Sequence, residues 1–380
     1  MPIRYKLVMV LAVLCVSALG QEYTSVYWFQ KGNEFLDNKS YVLAEKCFDK
    51  AIELYPQYEM AWRGKGLSLC HQENYDEAVK AFDKAIEIDP HDQGVLKLKN
   101  ATLNLEVAEL IIKGGKLYNS GKYDEAIKAF DKAIEVNPNN ADVWTFKGGA
   151  LYGQGKYSES IGAFDKAISI NPLEGKAWSW KGSFLLRLGR YNESIQALDN
   201  AIEINQSDAE AWNAKGLALI NLGLDNESIE AFDKAIQINQ SDEDAWKFKG
   251  FALNKSGKHN ESINAFDKAI EINQTDAEAW RFKGDALGAL GEYNESIEAY
   301  NKAIEINRSD PSAWLGEIAD LVRQHKFDES IKTVDKLIET NPKMAANLWQ
   351  FKGMILKDAL GRTAESDAAF AKAKELGYKG

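Results

Sequence analysis

Side chains that could do catalytic or metal chemistry are few in this sequence and share no pattern. Its four histidines, His71, His91, His259 and His325, lie at unrelated positions and predict no metal site. The sequence has no glycine-rich phosphate loop, no GxSxG, no HExxH and no DxDxDG calcium loop. We therefore expect no catalytic residue, no bound metal and no cofactor, and we predict that the protein is not an enzyme.

The Asn-X-Ser/Thr triplet, the acceptor for N-glycosylation, recurs along the chain. Eleven triplets occur, and nine of them fall between Asn192 and Asn307. One repeating set of four lies where loops are expected, and loops between repeated units lie at the surface. These four asparagines are the better candidates for modification: Asn205, Asn239, Asn273 and Asn307.

The triplets also fit structural roles. Ser207 with Glu210, and Thr275 with Glu278, match the helix capping box, in which Ser or Thr at the cap precedes Glu by three residues. In a second repeating set the serines would fill a small slot where two helices touch; they are Ser194, Ser228, Ser262 and Ser296. The sequence leaves glycosylation and these structural roles open.

Lysines form another regular set, each three residues after a tryptophan or the residue in its place. They are Lys31, Lys65, Lys113, Lys147, Lys181, Lys215, Lys249, Lys283 and Lys352, and Glu317 breaks the row. We expect each aliphatic stem to pack along its helix while the ammonium reaches an acid, such as the aspartate of a recurring Phe-Asp-Lys phrase. The alternative is a row of cations that binds an acidic ligand.

Composition limits the class of protein. The 380 residues include 46 basic and 57 acidic side chains, for a net charge of −11. This balance argues against a nucleic-acid partner, because phosphate binding depends on clustered lysine and arginine. The 10 Trp, 15 Tyr and 16 Phe exclude a disordered or collagen-like chain.

The regular sets arise because the chain is built from repeats, mostly 34 residues apart. The phrase AFDKAIEINQ or a variant recurs, centred on Phe48, Phe82, Phe130, Phe164, Leu198, Phe232, Phe266, Tyr300, Val334 and Phe370. Each unit has two apolar stripes at helical spacing, separated by a glycine such as Gly155 that can end a helix. A single helical hairpin buries too little apolar surface to fold alone, so neighbouring hairpins must stack.

A 34-residue hairpin with Trp, Gly four residues later, then a small residue, Phe, Ala and Pro resembles the tetratricopeptide repeat. The resemblance implies an all-α, right-handed superhelical solenoid whose first helices line a concave groove for a peptide or protein partner. We place two units at residues 25–92, a helical insertion at 93–106 and eight units at 107–380.

The insertion looks like the first helix of a unit whose second helix has been lost. We expect it to continue into the next unit as one long helix from about Gln93 to Ser120. This helix would interrupt the regular stacking, either as a hinge or as a rigid spacer.

Aromatic residues on the first helices are the candidate groove residues. They are Phe146, Tyr152, Trp180, Phe248, Phe282 and Phe351. The resemblance places this side of the first helix toward the groove, where aromatic side chains could anchor a ligand. Packing between adjacent helices would explain the same spacing.

The start of the chain matches a secretory signal at residues 1–20. Arg4 and Lys6 precede the apolar run from Leu7 to Val16, and small residues end at Gly20. The run is short for a membrane anchor, so we predict cleavage after Gly20, a secreted or cell-surface protein, and no membrane span afterwards. The alternative is an uncleaved anchor. Cys47 and Cys70 then remain, either as a disulfide or as two free buried thiols.

We therefore predict a non-catalytic scaffold that binds a protein or peptide in its groove outside the cytoplasm. The NxS/T content and composition are similar to those of exported repeat proteins of archaea. The alternative is a structural envelope component that self-associates through the ends of the array. Aromatic residues near the first unit, including Tyr27 and Trp28, and the uncapped end after Phe370 favour this alternative.

Overall fold

A computed structural model describes residues 23–378 of the chain. The predicted signal segment, residues 1–20, lies outside the described residues. The chain divides into two compact units, one ending at Ile170 and the other beginning at Asn171. Within the described residues all regular structure is helical.

Among the described residues, the first unit contains eight α-helices. They are α1 (Ser25–Asp37), α2 (Tyr41–Leu54), α3 (Glu59–Cys70), α4 (Tyr75–Ile88), α5 (Gln93–Asn119), α6 (Tyr123–Val136), α7 (Ala141–Gly153) and α8 (Tyr157–Ile170). They pair in chain order as hairpins, and α5 is nearly twice as long as the others.

The part of the second unit that the structure describes contains twelve α-helices. They are α9 (Gly175–Arg187), α10 (Tyr191–Ile204), α11 (Ala209–Asn221), α12 (Asp225–Ile238), α13 (Glu243–Lys255), α14 (His259–Ile272), α15 (Ala277–Leu290), α16 (Tyr293–Ile306), α17 (Pro311–Arg323), α18 (Phe327–Thr340), α19 (Ala345–Met354) and α20 (Thr363–Glu375). A 3₁₀ turn, Pro342–Met344, precedes α19, and a π-helical segment, Ile355–Ala359, follows it.

Most hairpins close around one glycine of the first helix and one aromatic residue of the second helix. A Cβ built at Gly250 would lie 2.7 Å from Cε1 of Phe266, whose ring is fully buried. The same contact joins Gly148 to Phe164. Glycine therefore lets the two helices approach until the ring fills the space between them.

Each second helix also packs against the first helix that follows it within the unit. In the second unit, Ala235 of α12 and Ala245 of α13 are both fully buried in one cluster. Small residues at these crossings allow close helix contact. The hairpins thus stack on one another, as the repeat pattern predicts.

Most hairpin turns use a glycine with positive φ, as at Gly155, where φ is +80°. Three turns use other residues in this left-handed conformation: Lys39, Glu73 and His325, with φ between 57° and 60°. A side chain at such a position carries a steric cost of about 1 kcal/mol. These three turns are therefore strained.

The long helix expected over residues 93–120 is observed as α5, Gln93–Asn119. Its first half packs on α4 through the fully buried Val95, and its second half packs on α6 through Gly114 and Phe130. It runs without a break between the two contacts.

The capping boxes expected at Ser207 and Thr275 are wrong by one residue. The helix caps are Asp208 and Asp276, whose carboxylates accept from Ala211 N and Ala279 N at 3.0 and 3.3 Å. Ser207 N and Thr275 N instead donate to the preceding asparagine side chains. A carboxylate is favoured at a helix N-terminus because it faces the unpaired N–H groups and the positive end of the helix dipole.

The serines of the in-helix triplets do fill the small slot between helices. Ser194, Ser262 and Ser296 are fully buried and donate to a carbonyl oxygen of the first helix at 2.7–2.8 Å.

Among the described residues, none of the helices combines the length and apolar character needed to cross a bilayer.

Candidate protein-binding surface

Most lysines of the row are held in place by aspartates of the preceding second helix. In the second unit, Lys249 Nζ lies 2.6 Å from Asp233 Oδ1 and 5.3 Å from the centroid of the Trp246 ring. The other pairs observed are Lys65–Asp49, Lys99–Asp83, Lys147–Asp131, Lys215–Asp199, Lys283–Asp267 and Lys352–Asp335, at 2.5–2.7 Å. The packing interpretation of these lysines is confirmed.

The break in the row at Glu317 has a counterpart in the preceding second helix. That helix carries Asn301 at the position where the second helices before the paired lysines carry aspartate. Glu317 is 8% exposed, accepts from Thr333 Oγ1 at 3.2 Å and leaves its Oε2 without a partner. Burial raises the pKa of Glu317. One ion pair of the array is therefore replaced by a buried carboxyl group.

A second set of polar contacts joins neighbouring first helices in the second unit. The residue after the tryptophan reaches the aspartate that caps the next first helix at Asn213, Lys247 and Arg281. Asn213 Nδ2 donates to Asp242 Oδ2 at 2.5 Å, and Lys247 Nζ lies 2.9 Å from Asp276 Oδ2. Each cap thus serves both its own helix and the contact between repeats.

Lys247 is the most enclosed of these cations, with 10% of its side chain exposed. Burial opposes its charge, but hydrogen bonds to Asp276 and Asp244 outweigh this effect and raise the pKa of Lys247. Burial likewise opposes the Asp276 carboxylate, and its hydrogen bonds with Glu243 and Lys247 lower its pKa to about 2. Both groups are charged at neutral pH, so the contact is a fixed ion pair.

Three of the predicted groove aromatics stack on a phenylalanine of the preceding second helix. Their ring centroids lie 6.0 Å apart for Phe130–Phe146, 6.4 Å for Phe232–Phe248 and 5.8 Å for Phe266–Phe282. All three predicted residues are half-buried. Part of each ring therefore belongs to the core, and part faces outward.

The other three predicted aromatics have separate surroundings. Tyr152 lies 5.1 Å from Tyr157, and Trp180 lies 6.4 Å from Phe184, by ring centroids. Phe351 packs against the apolar clusters around α18 and α19. The structure does not gather the six residues at one site, and their contact with a ligand stays a prediction.

Two side-chain contacts in the second unit were not predicted from the sequence. Phe251 of α13 lies 5.1 Å from Phe282 of α15, and the Arg281 guanidinium lies 4.1 Å from the Phe282 centroid. Phe251 follows Trp246 by five residues, and that spacing could have identified it. We call the group formed by Lys247, Phe251, Arg281 and Phe282 the first-helix surface. Its two aromatic rings are partly exposed, and its two cations are fixed by ion pairs.

A polar cluster lies next to this surface, between α15, α16 and α17. The Tyr300 hydroxyl donates to Asp285 Oδ1 at 2.8 Å, and Ser296 Oγ lies 2.6 Å from Asp320 Oδ2. Arg323 Nη1 lies 2.5 Å from Oδ1 of Asp320, a residue that is fully buried. Burial raises the pKa of Asp285, and the Tyr300 hydrogen bond opposes this rise. The core between these repeats is thus partly polar.

The four candidate acceptor asparagines lie in the turns between repeats. Each side-chain oxygen accepts a hydrogen bond from the backbone N–H two residues later at 3.0–3.2 Å; for example, Ser207 N donates to Asn205 Oδ1. Three of the asparagines are exposed, and Asn273 is half-buried with its Nδ2 donating to Glu243 Oε2 at 2.9 Å. Glycosylation stays a prediction for all four.

Cys47 and Cys70 are both free thiols, so the disulfide alternative is not observed. Burial raises the pKa of Cys47 to about 11. Such a thiol is inert, because the thiolate is the reactive form. In the described residues no cluster of three or more His, Cys, Asp or Glu side chains has the arrangement of a metal site.

Family profiles for the tetratricopeptide repeat match residues 29–93, 116–174, 209–242 and 244–276. A profile described as TPR repeat matches residues 182–223 and 284–316. The chain belongs to the tetratricopeptide-repeat (TPR) family. The matches leave out most of residues 93–116, where α5 departs from the TPR hairpin pattern. Among proteins of curated function, none matches this TPR chain.

Solved TPR structures share the fold. The structure titled "Functional Characterization of Pseudomonas Aeruginosa pilF" aligns with a TM-score of 0.51 and 14% identity, covering 56% of this chain and 96% of that one. YrrB, titled as "a TPR protein with an unusual peptide-binding site", aligns with a TM-score of 0.44 and 21% identity, covering 49% and 96%. A MamA structure aligns with a TM-score of 0.41 and 24% identity, covering 42% and 94%. At these identities the likeness concerns the fold.

Proposed function

We propose that this TPR protein is a scaffold that binds a protein or peptide through the first-helix surface of its second unit. TPR repeats and the stacked hairpins support a role in protein–protein interaction. The observation that carries the proposal is the contact between Phe251 and Phe282, half-buried rings 5.1 Å apart, with the Arg281 guanidinium 4.1 Å from the Phe282 centroid.

The chemistry of this surface suits a peptide with apolar side chains. Aromatic rings that are already packed lose little conformational entropy when a ligand covers their exposed part. Lys247 lies 2.9 and 3.0 Å from Asp276 and Asp244, and Arg281 lies 3.1 Å from Asp285, so carboxylates neutralise both cations and hold them in place.

A photo-crosslinking amino acid at position 251 tests the proposal in the native host. The matched control places the same amino acid at Glu203, an exposed position of the second helix α10. We expect a specific protein to be crosslinked from position 251 and not from position 203. The Phe251→Ala variant should then weaken binding of that purified protein about tenfold. Equal crosslinking from both positions, or unchanged affinity, would reject this surface.

The second part of the proposal is that the protein works outside the cytoplasm. It rests on the basic, apolar and small-residue segments of residues 1–20. Sequencing the N-terminus of protein from the native host should give a chain that begins at Gln21, recovered from the medium or the cell surface. A chain that still begins at Met1 in the cytosolic fraction would contradict it.

End-to-end assembly remains a second candidate because of the residues at the start of the first unit. Val26 is 50% exposed, and the rings of Tyr23 and Tyr27 lie 4.2 Å apart beside Trp28. This exposed apolar cluster could bind the end of another array. Light scattering across a concentration series should show growth in mass that the Val26→Asp variant removes. A constant monomer mass would eliminate this candidate.

A further inference from the structure

The α5 helix leaves an unpartnered face in the first unit. Residues 93–106 occupy a first-helix position, with Lys99 Nζ 2.5 Å from Asp83 Oδ1 of α4 and Val95 buried against Phe82. The chain then proceeds along the same helix to the first-helix position of the next hairpin. The second helix that would normally lie between these positions is absent.

Leu98 and Lys99 have counterparts fourteen residues later, Ile112 and Lys113, which no second helix covers. Leu98 packs against the core around α4, whereas Ile112 is 58% exposed. Lys99 is paired, whereas Lys113 has no ion pair among the residues that the structure describes. Leu105, 51% exposed, lies seven residues before Ile112 and therefore on the same side of the helix. Two large apolar side chains thus lie on the exposed face.

Charges divide this face into two ends. Near its start, Glu106 and Glu109 line a pocket of about 200 Å³ with Asp76 and Tyr75. Burial, and then the charges of Asp76 and Glu109, raise the pKa of Glu106, as expected for crowded carboxylates. Lys113 borders the same pocket on the other side, and the exposed Lys116 follows one turn later. The face is acidic at one end and basic at the other.

We propose that the α5 face, formed by Leu105, Glu109, Ile112, Lys113 and Lys116, binds one amphipathic helix of a partner protein. That helix has acidic residues in its first turn, basic residues in its last turn and an apolar stripe between them. It lies antiparallel to α5, so that its acids meet Lys113 and Lys116 and its cations meet Glu109, Glu106 and Asp76.

The length and polarity of this occupant follow from the chain. The second helices that fill this position elsewhere are 14 residues long, as α4 and α6 are. A helix of that length spans about 21 Å at 1.5 Å per residue, enough to cover the distance from Leu105 to Lys116. Acids at the N-terminus and cations at the C-terminus also stabilise the partner helix through its own dipole.

Two stapled peptides of identical composition test the proposal on the full chain. The first has Glu in its first turn, Lys in its last turn and a leucine stripe; the second exchanges the Glu and Lys positions. Stapling keeps both helical, so that affinity reports on charge polarity alone. By fluorescence anisotropy, the first peptide should bind at least about tenfold more tightly than the second.

Two variants locate the binding and test its polarity. Ile112→Asp should weaken the first peptide about tenfold, whereas Ile238→Asp, at another exposed isoleucine, should not change its affinity. The charge-exchanged variant Glu109→Lys/Lys113→Glu/Lys116→Glu alters only exposed side chains and should reverse the preference between the peptides. Helicity and melting temperature of each variant confirm that it is folded.

Three results would overturn the proposal. The first is equal affinity for both peptides, or no binding at about 1 mM, the weak limit of a specific contact. The second is binding that Ile112→Asp leaves unchanged. The third is a dimer of the protein that Ile112→Asp dissociates, since the occupant would then be a second copy of this chain.

Discussion

Restoring the missing ion pair at Glu317 should stabilise the second unit. The double variant Asn301→Asp/Glu317→Lys recreates at this crossing the contact that joins Lys283 to Asp267 at 2.6 Å one repeat earlier. It also removes a buried carboxyl group whose Oε2 has no hydrogen-bond partner. The variant therefore exchanges an uncompensated buried acid for a paired cation.

The size of the effect follows from these two changes. An unpaired buried polar group costs about 1 to 3 kcal/mol. The restored pair is partly exposed, since the equivalent Lys283 and Asp267 are 23% and 49% exposed, so it contributes about 0.5 to 1 kcal/mol. We expect the double variant to gain about 1.5 to 4 kcal/mol of local stability at pH 7.

Native-state hydrogen exchange of the α16–α18 amides measures this gain locally, which suits an array whose repeats can open separately. The two single variants complete a double-mutant cycle. Asn301→Asp alone should destabilise the wild-type background, because it adds a second carboxylate near Glu317. A coupling energy below about 0.3 kcal/mol, the range of simple additivity, would refute the reasoning.

The pH dependence of Glu317→Gln provides an independent check. Because the folded-state pKa of Glu317 is raised, its protonated form contributes stability that is full below the unfolded pKa of about 4.3 and is lost as the pH rises through the folded pKa. Glu317→Gln should therefore gain stability over wild type on going from pH 4 to pH 7. A difference that stays constant over this range would contradict the assigned burial of the charge.

Three further substitutions, the first with a matched control, probe other features by urea unfolding. Gly250→Ala places a Cβ 2.7 Å from Phe266 and should cost about 1 to 3 kcal/mol, whereas Gly162→Ala, with nothing within 4 Å, should gain about 1 kcal/mol; equal effects would contradict the close approach. Glu73→Gly relieves a φ of 60° and should gain about 0.5 to 1 kcal/mol, and a loss would show that the turn is unstrained. Asp276→Asn should lower the free energy of unfolding by about 2 kcal/mol at pH 7. The Asp276 carboxylate stabilises the wild type above its unfolded pKa of about 3.9, and this contribution falls as the pH drops toward the folded pKa of about 2. The difference between variant and wild type should therefore vanish near pH 2.

The sequence predicted the fold and the lysine contacts well because both depend on local periodicity. A lysine three residues after tryptophan and an aspartate beside phenylalanine occupy fixed positions on two helices that must touch, so Lys249 and Asp233 could be paired from spacing alone. The extent of α5 could also be predicted, because a first helix without a second one has to continue into the next unit.

The sequence did not predict the surface in the same detail. The sequence predicted the helix cap at Thr275, but the observed cap is the next residue, Asp276. Thr275 and Glu278 have the spacing of a capping box, whereas a carboxylate is the stronger acceptor at the helix start. The aromatic spacing could not distinguish core from surface, since Phe282 stacks on Phe266 and still remains partly exposed. Side-chain direction at such positions depends on the crossing of helices from different repeats.

Deleting one complete repeat tests most directly the claim that the hairpins stack as interchangeable units. Removing residues 243–276, one period of 34 residues, should leave a soluble, helical protein with a lower melting temperature, because α12 then packs on α15 through the same positions. Removing residues 243–265 breaks the register and should abolish cooperative unfolding of the second unit. Equal loss of folded structure in both deletions, measured by circular dichroism, would contradict the account.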